Sequence, residues 1–180
     1  ILSIGDYVYI SGGFFFTRMQ GMTGLKLSDG SLLAGEVSAY AFGAGTVDLF
    51  AGSGPYFRES NGDHVTDESD TPDPDAVGLA LENVKFGLML MRQGTSTTKY
   101  LALKASANHA ALVGIEDITL SGSGIVVEYN TVKGTGVTDS TPVVDFKRSF
   151  PAGYALDTGN GSLLIDYSRK ELRASVADAD

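Results

Sequence analysis

The chain has 180 residues, 43% apolar and 9% aromatic, with 23 Gly, no Cys and no Trp. That is enough apolar material for a core, so a fully disordered chain is excluded, as are disulfide scaffolds, thiolate zinc sites and cysteine nucleophiles. With 22 acidic against 13 basic residues the net charge is −9, which argues against a nucleic-acid partner, since phosphate neutralisation needs clustered Lys and Arg.

Glycine is nearly twice its average share of roughly 7% and is dispersed between short apolar runs, the pattern of strands joined by turns. Between Tyr7 and Phe16, the even positions Val8, Ile10, Phe14 and Phe16 share one face of a strand. Leu25, Leu27 and Leu33 flank Asp29-Gly30, which predicts a hairpin with a type I′ turn. Val77 to Leu90 reads as two strands around a polar turn at Glu82-Asn83. Tyr100 to Leu112 is Ala-rich, yet Leu101, Leu103, Ala105 and Ala107 alternate, so strand is preferred over helix. Ile115, Ile118, Leu120, Ile125, Val127 and Tyr129 continue the pattern. Gly159-Asn160-Gly161 marks a second hairpin. The sum is an all-β chain of roughly 10 to 14 short strands. The architecture expected is an elongated, mainly antiparallel unit, sandwich-like or partly rolled, with a β-solenoid as the alternative.

One segment differs. Residues 58–76 form an acidic loop holding seven of the 22 acids, with Pro72, Pro74 and Asn61-Gly62 and almost no apolar side chains. Calcium takes six to eight oxygen ligands from carboxylates and carbonyls on a flexible loop. Asn61, Asp63, Asp67, Asp70, Asp73 and Asp75 are the candidate calcium ligands, although their spacing is neither an EF-hand nor a calcium-binding nonapeptide. Tyr56 and Phe57, adjacent rings after a turn, are candidates for stacking on a sugar, against core or edge packing. His64 and His109 sit in no Ser-His-Asp pattern and no phosphate-cradling loop is present, so no enzyme is expected. No apolar run is long enough for a helical membrane span. A small outer-membrane barrel fits the length and alternation but lacks a terminal aromatic strand and clear girdles.

Four stretches carry a family resemblance: Tyr9 to Phe16; Phe50 to Phe57 with Asp75 to Met91; Tyr100 to Ala105 with Leu112 to Gly122 and Val127 to Asn130; and Val143 to Phe146 with Glu171 to Ser175. Their motifs and order resemble the tandem repeats of giant bacterial surface and secreted proteins of the haemagglutinin- and RTX-adhesin-like kind. The resemblance implies an extracellular, structural or adhesive role at the bacterial surface, with neighbouring copies as partners and no catalytic residues. A carbohydrate- or cell-binding sandwich acting on a host or matrix glycan is the alternative role. In such repeats the Leu-Arg-Ala-Ser strand runs into the Tyr-x-x-Ser-Gly strand, and here those halves stand at opposite ends. The expectation is therefore one repeat unit over 1–180, with terminal strands shared between neighbours.

Overall fold

The computed structural model describes residues 2–4, 8–53, 56–64, 69–114 and 121–179, with the backbone alone for 2–4, 8–11 and 179. Strands β1 (Leu2–Ile4), β2 (Val8–Met22), β3 (Val37–Ser53), β6 (Val77–Gln93), β7 (Lys99–Val113), β8 (Ser121–Lys133) and β11 (Glu171–Ser175) pair in that order in one antiparallel sheet. Strand β12 (Asp178–Ala179) also pairs with β8. Two small ladders stand apart: β4 (Phe57–Arg58) with β5 (Thr71–Pro72), and β9 (Tyr154–Asp157) with β10 (Ser162–Ile165). A single short helix, α1 (Phe146–Ser149), completes the described elements.

The all-β, mainly antiparallel reading holds, and Tyr100 to Leu112 is strand as expected. Among the described residues the sheet is an open path from β1 to β11. It closes into no barrel and is a meander rather than a stack of parallel coils.

The strands are longer than expected, because residues read as turns are bulges. Val77 to Leu90 is part of one strand of 17 residues, not two. Asn83 takes a left-handed φ of 50°, a conformation Asn tolerates, and its N–H donates to Asp48 Oδ1 at 2.8 Å. On the neighbouring strand, Thr46 has φ 55° at a register shift of β3. An extra residue on one strand bends the ladder and keeps it running.

The Asp29-Gly30 hairpin forms, but not with a type I′ turn. That turn needs positive φ at both central residues, and only Gly30 has it, at 87°. Gly30 N–H donates to the Leu27 carbonyl and Leu27 N–H to the Ser31 carbonyl, both at 2.9 Å. Asp29 keeps a negative φ, and its carboxylate accepts from the Ser31 hydroxyl at 2.6 Å and from Ser31 N–H at 2.9 Å, bonds that hold its pKa down. The Gly159-Asn160-Gly161 hairpin joins β9 to β10 as expected.

The core lies on one face of the large sheet. Val37, Ala39, Met89, Met91, Ala102 and Val132 point into it. Above them lie Leu25, Leu27, Leu33, Val143, Val144, Phe146, Leu156, Ile165 and Tyr167, from the first hairpin, α1 and β9–β10. Each large side chain so buried contributes about 2 kcal/mol from removal of apolar surface. The cover is stitched by backbone bonds: Ser28 N–H to Val143 O at 2.8 Å, Asp145 N–H to Lys26 O at 2.9 Å, and Phe146 N–H to Tyr167 O at 2.7 Å. The Asp145 carboxylate, buried, caps α1 by accepting from Arg148 N–H at 3.0 Å.

Candidate functional site: an open apolar sheet face

Residues paired across antiparallel strands point to the same side, so the register assigns the second face directly. One row across the sheet is Phe16, Phe42, Leu88, Leu103, Tyr129 and Leu172. The row two residues along is Phe14, Ala44, Phe86, Ala105, Val127 and Ala174. On the other side of the first row come Arg18, Tyr40, Leu90, Leu101 and Thr131. These alternate with the core-facing residues Ala41, Met89, Ala102 and Asn130, so they look away from the core.

Ala44 and Thr131 are buried, and the aromatic end of these rows is uncovered by any described element. Phe14 is 52% exposed, Phe16 56% and Leu172 80%, and Tyr40, Phe42 and Leu90 are exposed too. The rings pack on each other: Phe16 lies 4.8 Å from Phe42 and 6.1 Å from Tyr40, centroid to centroid. By strand geometry the three rows span roughly 24 Å across the sheet and about 13 Å along it. A patch on the order of 300 Å² or more falls in the range of the largest apolar patch on an ordinary monomer, one that is often functional.

The even-position reading of Phe14 and Phe16 was right about a shared face and silent on which face. That face is the open one. Val8 and Ile10 are outside what is described at side-chain level, and a register shift between Ser11 and Gly13 separates them from Phe14. A row of cations borders the band. Arg92 pairs with Lys99 and Lys99 with Lys133, two residues beyond Leu90, Leu101 and Thr131. Arg18 lies beside them, its guanidinium 5.6 Å from the centre of the Tyr40 ring. This row is invisible to linear charge counting, because its members come from four strands.

The acidic segment is a hairpin excursion rather than a free loop, closed by the β4–β5 ladder. Asp70 is buried and accepts from Ser60 N–H at 2.7 Å and Asn61 N–H at 3.3 Å. Asp73 and Asp75 grip the Arg58 guanidinium at 2.8 and 2.5 Å, and that contact holds the Asp73 carboxyl below the usual carboxylate range. Asn61 Oδ1 accepts from Asp63 N–H at 2.9 Å. Among the described residues no three acids or histidines converge in a metal-binding arrangement, and Asp67 lies outside the described residues. Ala76, read as part of the solvated loop, is buried.

Tyr56 stacks on Phe50 at 5.2 Å and Phe57 tilts against it at 4.6 Å. With Ala76, Ala80 and Val113 they form a second, small core that anchors the acidic hairpin to the sheet. Burial and nearby Glu82 push the Tyr56 hydroxyl pKa up. His109 is paired in register with Glu82, while His64 sits exposed on the acidic hairpin, so the structure does not bring the two together.

Two grooves flank β8. One, of about 440 Å³, holds Glu128, Lys147, Asp166 and Arg173. It is an alternating charge network in which Lys104 lies 3.6 Å from Glu128 and 3.7 Å from Asp166. The other, of about 620 Å³, lies at the edge of β8 where β11 ends, lined by Tyr129, Lys133, Val137, Asp139, Lys170 and Leu172.

No protein family, no curated protein and no solved structure matches this chain.

Proposed function

We propose that this chain is a structural unit of a repetitive extracellular fibre at the bacterial surface, building one continuous sheet with neighbouring copies. The observation that carries this reading is the placement of the two ends. Strand β1 lies at one edge of the sheet and β11 and β12 at the other. Strand β1 covers only Val8 to Ile10 of β2, so the outer side of residues 11–22, whose inner side pairs with β3, has no partner strand among the described residues. Such an edge is a template for another strand.

The geometry favours continuation. The six strands β2, β3, β6, β7, β8 and β11 alternate in direction, so β11 of one copy meets β2 of a translated copy antiparallel. The β1–β2 register, Ile4 with Val8 and Leu2 with Ile10, extended outward, lays a preceding strand along residues 12–20. In a tandem array that strand is the β11–β12 segment of the previous copy. Nearest-neighbour interfaces of this kind stabilise repeat arrays.

The test compares one unit with two copies joined in tandem. The two-copy chain is expected to melt higher, and the amides of residues 13–20 in its second copy to gain protection from hydrogen exchange. Equal midpoints and unchanged exchange would overturn the proposal.

A further inference from the structure

The aromatic band and the acidic hairpin are two ends of one surface. Phe50, on which Tyr56 stacks, pairs with Ala80, and Ala80 with Ala111. Ala111 keeps step with Leu101 and Leu103 along β7, whose pairing with β6 and β8 runs without a register shift. The hairpin therefore stands on the same side of the sheet as the band. Along β6 the Arg92 row lies roughly 40 Å from the Ala80 row by strand rise. We propose that this surface pairs face to face with a second copy of the chain, each acidic hairpin lying over the aromatic and basic end of the other. The pairing goes beyond the structural role and does not depend on it.

The two ends carry opposite charge. Residues 58–76 hold seven acids against one base, Arg58. At the other end Arg18, Arg92, Lys99 and Lys133 are exposed, and none has a carboxylate within 4.0 Å among the described residues. Two acids lie near them: Asp139 in the groove of Lys133, and Glu36 just before β3. Four cations against two acids leave that end positive. Opposite potentials set face to face attract and fix orientation.

Symmetry then selects the arrangement. A twofold axis along the strands sets cations against cations and hairpin against hairpin. A twofold axis across the strands, near the Phe86 row, exchanges the two ends, so each hairpin meets the partner's cations and rings. Pro72 and Pro74, both exposed, give the hairpin apolar surface to set against Phe16, Tyr40 and Phe42. The contact is isologous, so it is made twice. A band of roughly 300 Å² with an equal area of hairpin in return comes to about 600 Å² per partner, the low end of specific interfaces. The dimer is accordingly weak, and salt dissociates it.

The experiment follows sedimentation of the 180-residue chain over a range of concentration and salt. A closed monomer–dimer equilibrium that moves toward monomer as salt rises is the expected result. Arg92→Glu with Lys99→Glu sets acid against acid in both contacts and should leave monomer at concentrations where the parent chain is mostly dimer. Glu59→Lys with Asp63→Lys should do the same by setting base against base. All four side chains are exposed, so the changes spare the core. Mixing the two variants restores opposite charges in both contacts, and a heterodimer should form, which also shows each variant to be folded. A parent chain that stays monomeric, a dimer indifferent to both reversals, or a mixture that does not associate would each overturn the proposal. Open-ended oligomers indifferent to the reversals would overturn it too, while leaving pairing through the sheet edges intact.

Discussion

The side-chain amide of Asn130, on β8, donates to the Val144 carbonyl at 3.0 Å and to the Arg169 carbonyl at 2.9 Å. It is fully buried, on the closed face between Ala102 and Glu171 in register. One polar side chain thus ties the sheet to two separate segments of its cover.

Asn130→Ala should therefore destabilise the fold by about 2 kcal/mol, since the buried Val144 carbonyl and the partly buried Arg169 carbonyl both lose their donor. Denaturant unfolding checks this, and a loss no larger than that of an exposed substitution such as Thr138→Ala would show the tie to be unimportant.

Gly43 sets how closely the cover approaches. A Cβ there would collide with the Asp157 carbonyl oxygen and come within 2.6 Å of Leu156 Cδ2. Backbone cannot move aside as a flexible side chain does, so Gly43→Ala should cost about 1–3 kcal/mol. Gly62→Ala, whose Cβ meets nothing but whose φ is 84°, measures backbone strain without the clash. If the two variants lose equal stability, the close approach of β9 is not the cause.

Burial raises the pKa of the Tyr167 hydroxyl, with Glu128, Asp166 and Glu171 adding to it, and burial raises that of Tyr100 and Tyr154 as well. The Tyr167 hydroxyl also donates to the Leu103 carbonyl at 2.8 Å. A folded-state pKa above the unfolded one favours the protonated form in the fold. That stability is complete below the unfolded value, about 10, and is lost as pH rises above it. Melting midpoints should fall through the alkaline range together with the appearance of tyrosinate absorbance. Tyr167→Phe should flatten that fall while costing about 1 kcal/mol at neutral pH for the lost hydrogen bond.

Arg58 occupies the position between Asp73 and Asp75 that a bound cation would take. Calcium at this hairpin is a proposal that must displace or bypass that guanidinium. Arg58→Ala should therefore lower the melting midpoint slightly and make it more sensitive to added calcium than in the parent chain. The guanidinium is half exposed and solvent screens the contact, so the stability change itself should be small. A variant as indifferent to calcium and chelator as the parent would sink the calcium proposal.

Much of the fold was legible in local chemistry. Alternation identified the strands, including Tyr100 to Leu112 against its helical alanines. Asp29-Gly30 and Gly159-Asn160-Gly161 placed two hairpins, and clustered acids with prolines placed the exposed excursion. Strand length was not legible, because Asn83 looks the same in a bulge as in a turn. Only the partner strand, through Asp48 and the register around Val47, distinguishes them.

The choice of face was decided by tertiary structure. Phe14-Phe15-Phe16 and Leu88-Met89-Leu90-Met91 put apolar side chains on both sides of their strands, so period-two patterning cannot say which side is closed. Closure fell to the side where Ala39, Ala41, Gly43 and Ala102 leave room for β9, β10 and α1 to approach. The sequence by itself determined an all-β chain with its turns. Which apolar face is buried and which stands open beside a row of cations depends on contacts between segments more than a hundred residues apart, such as Lys26 with Ser149.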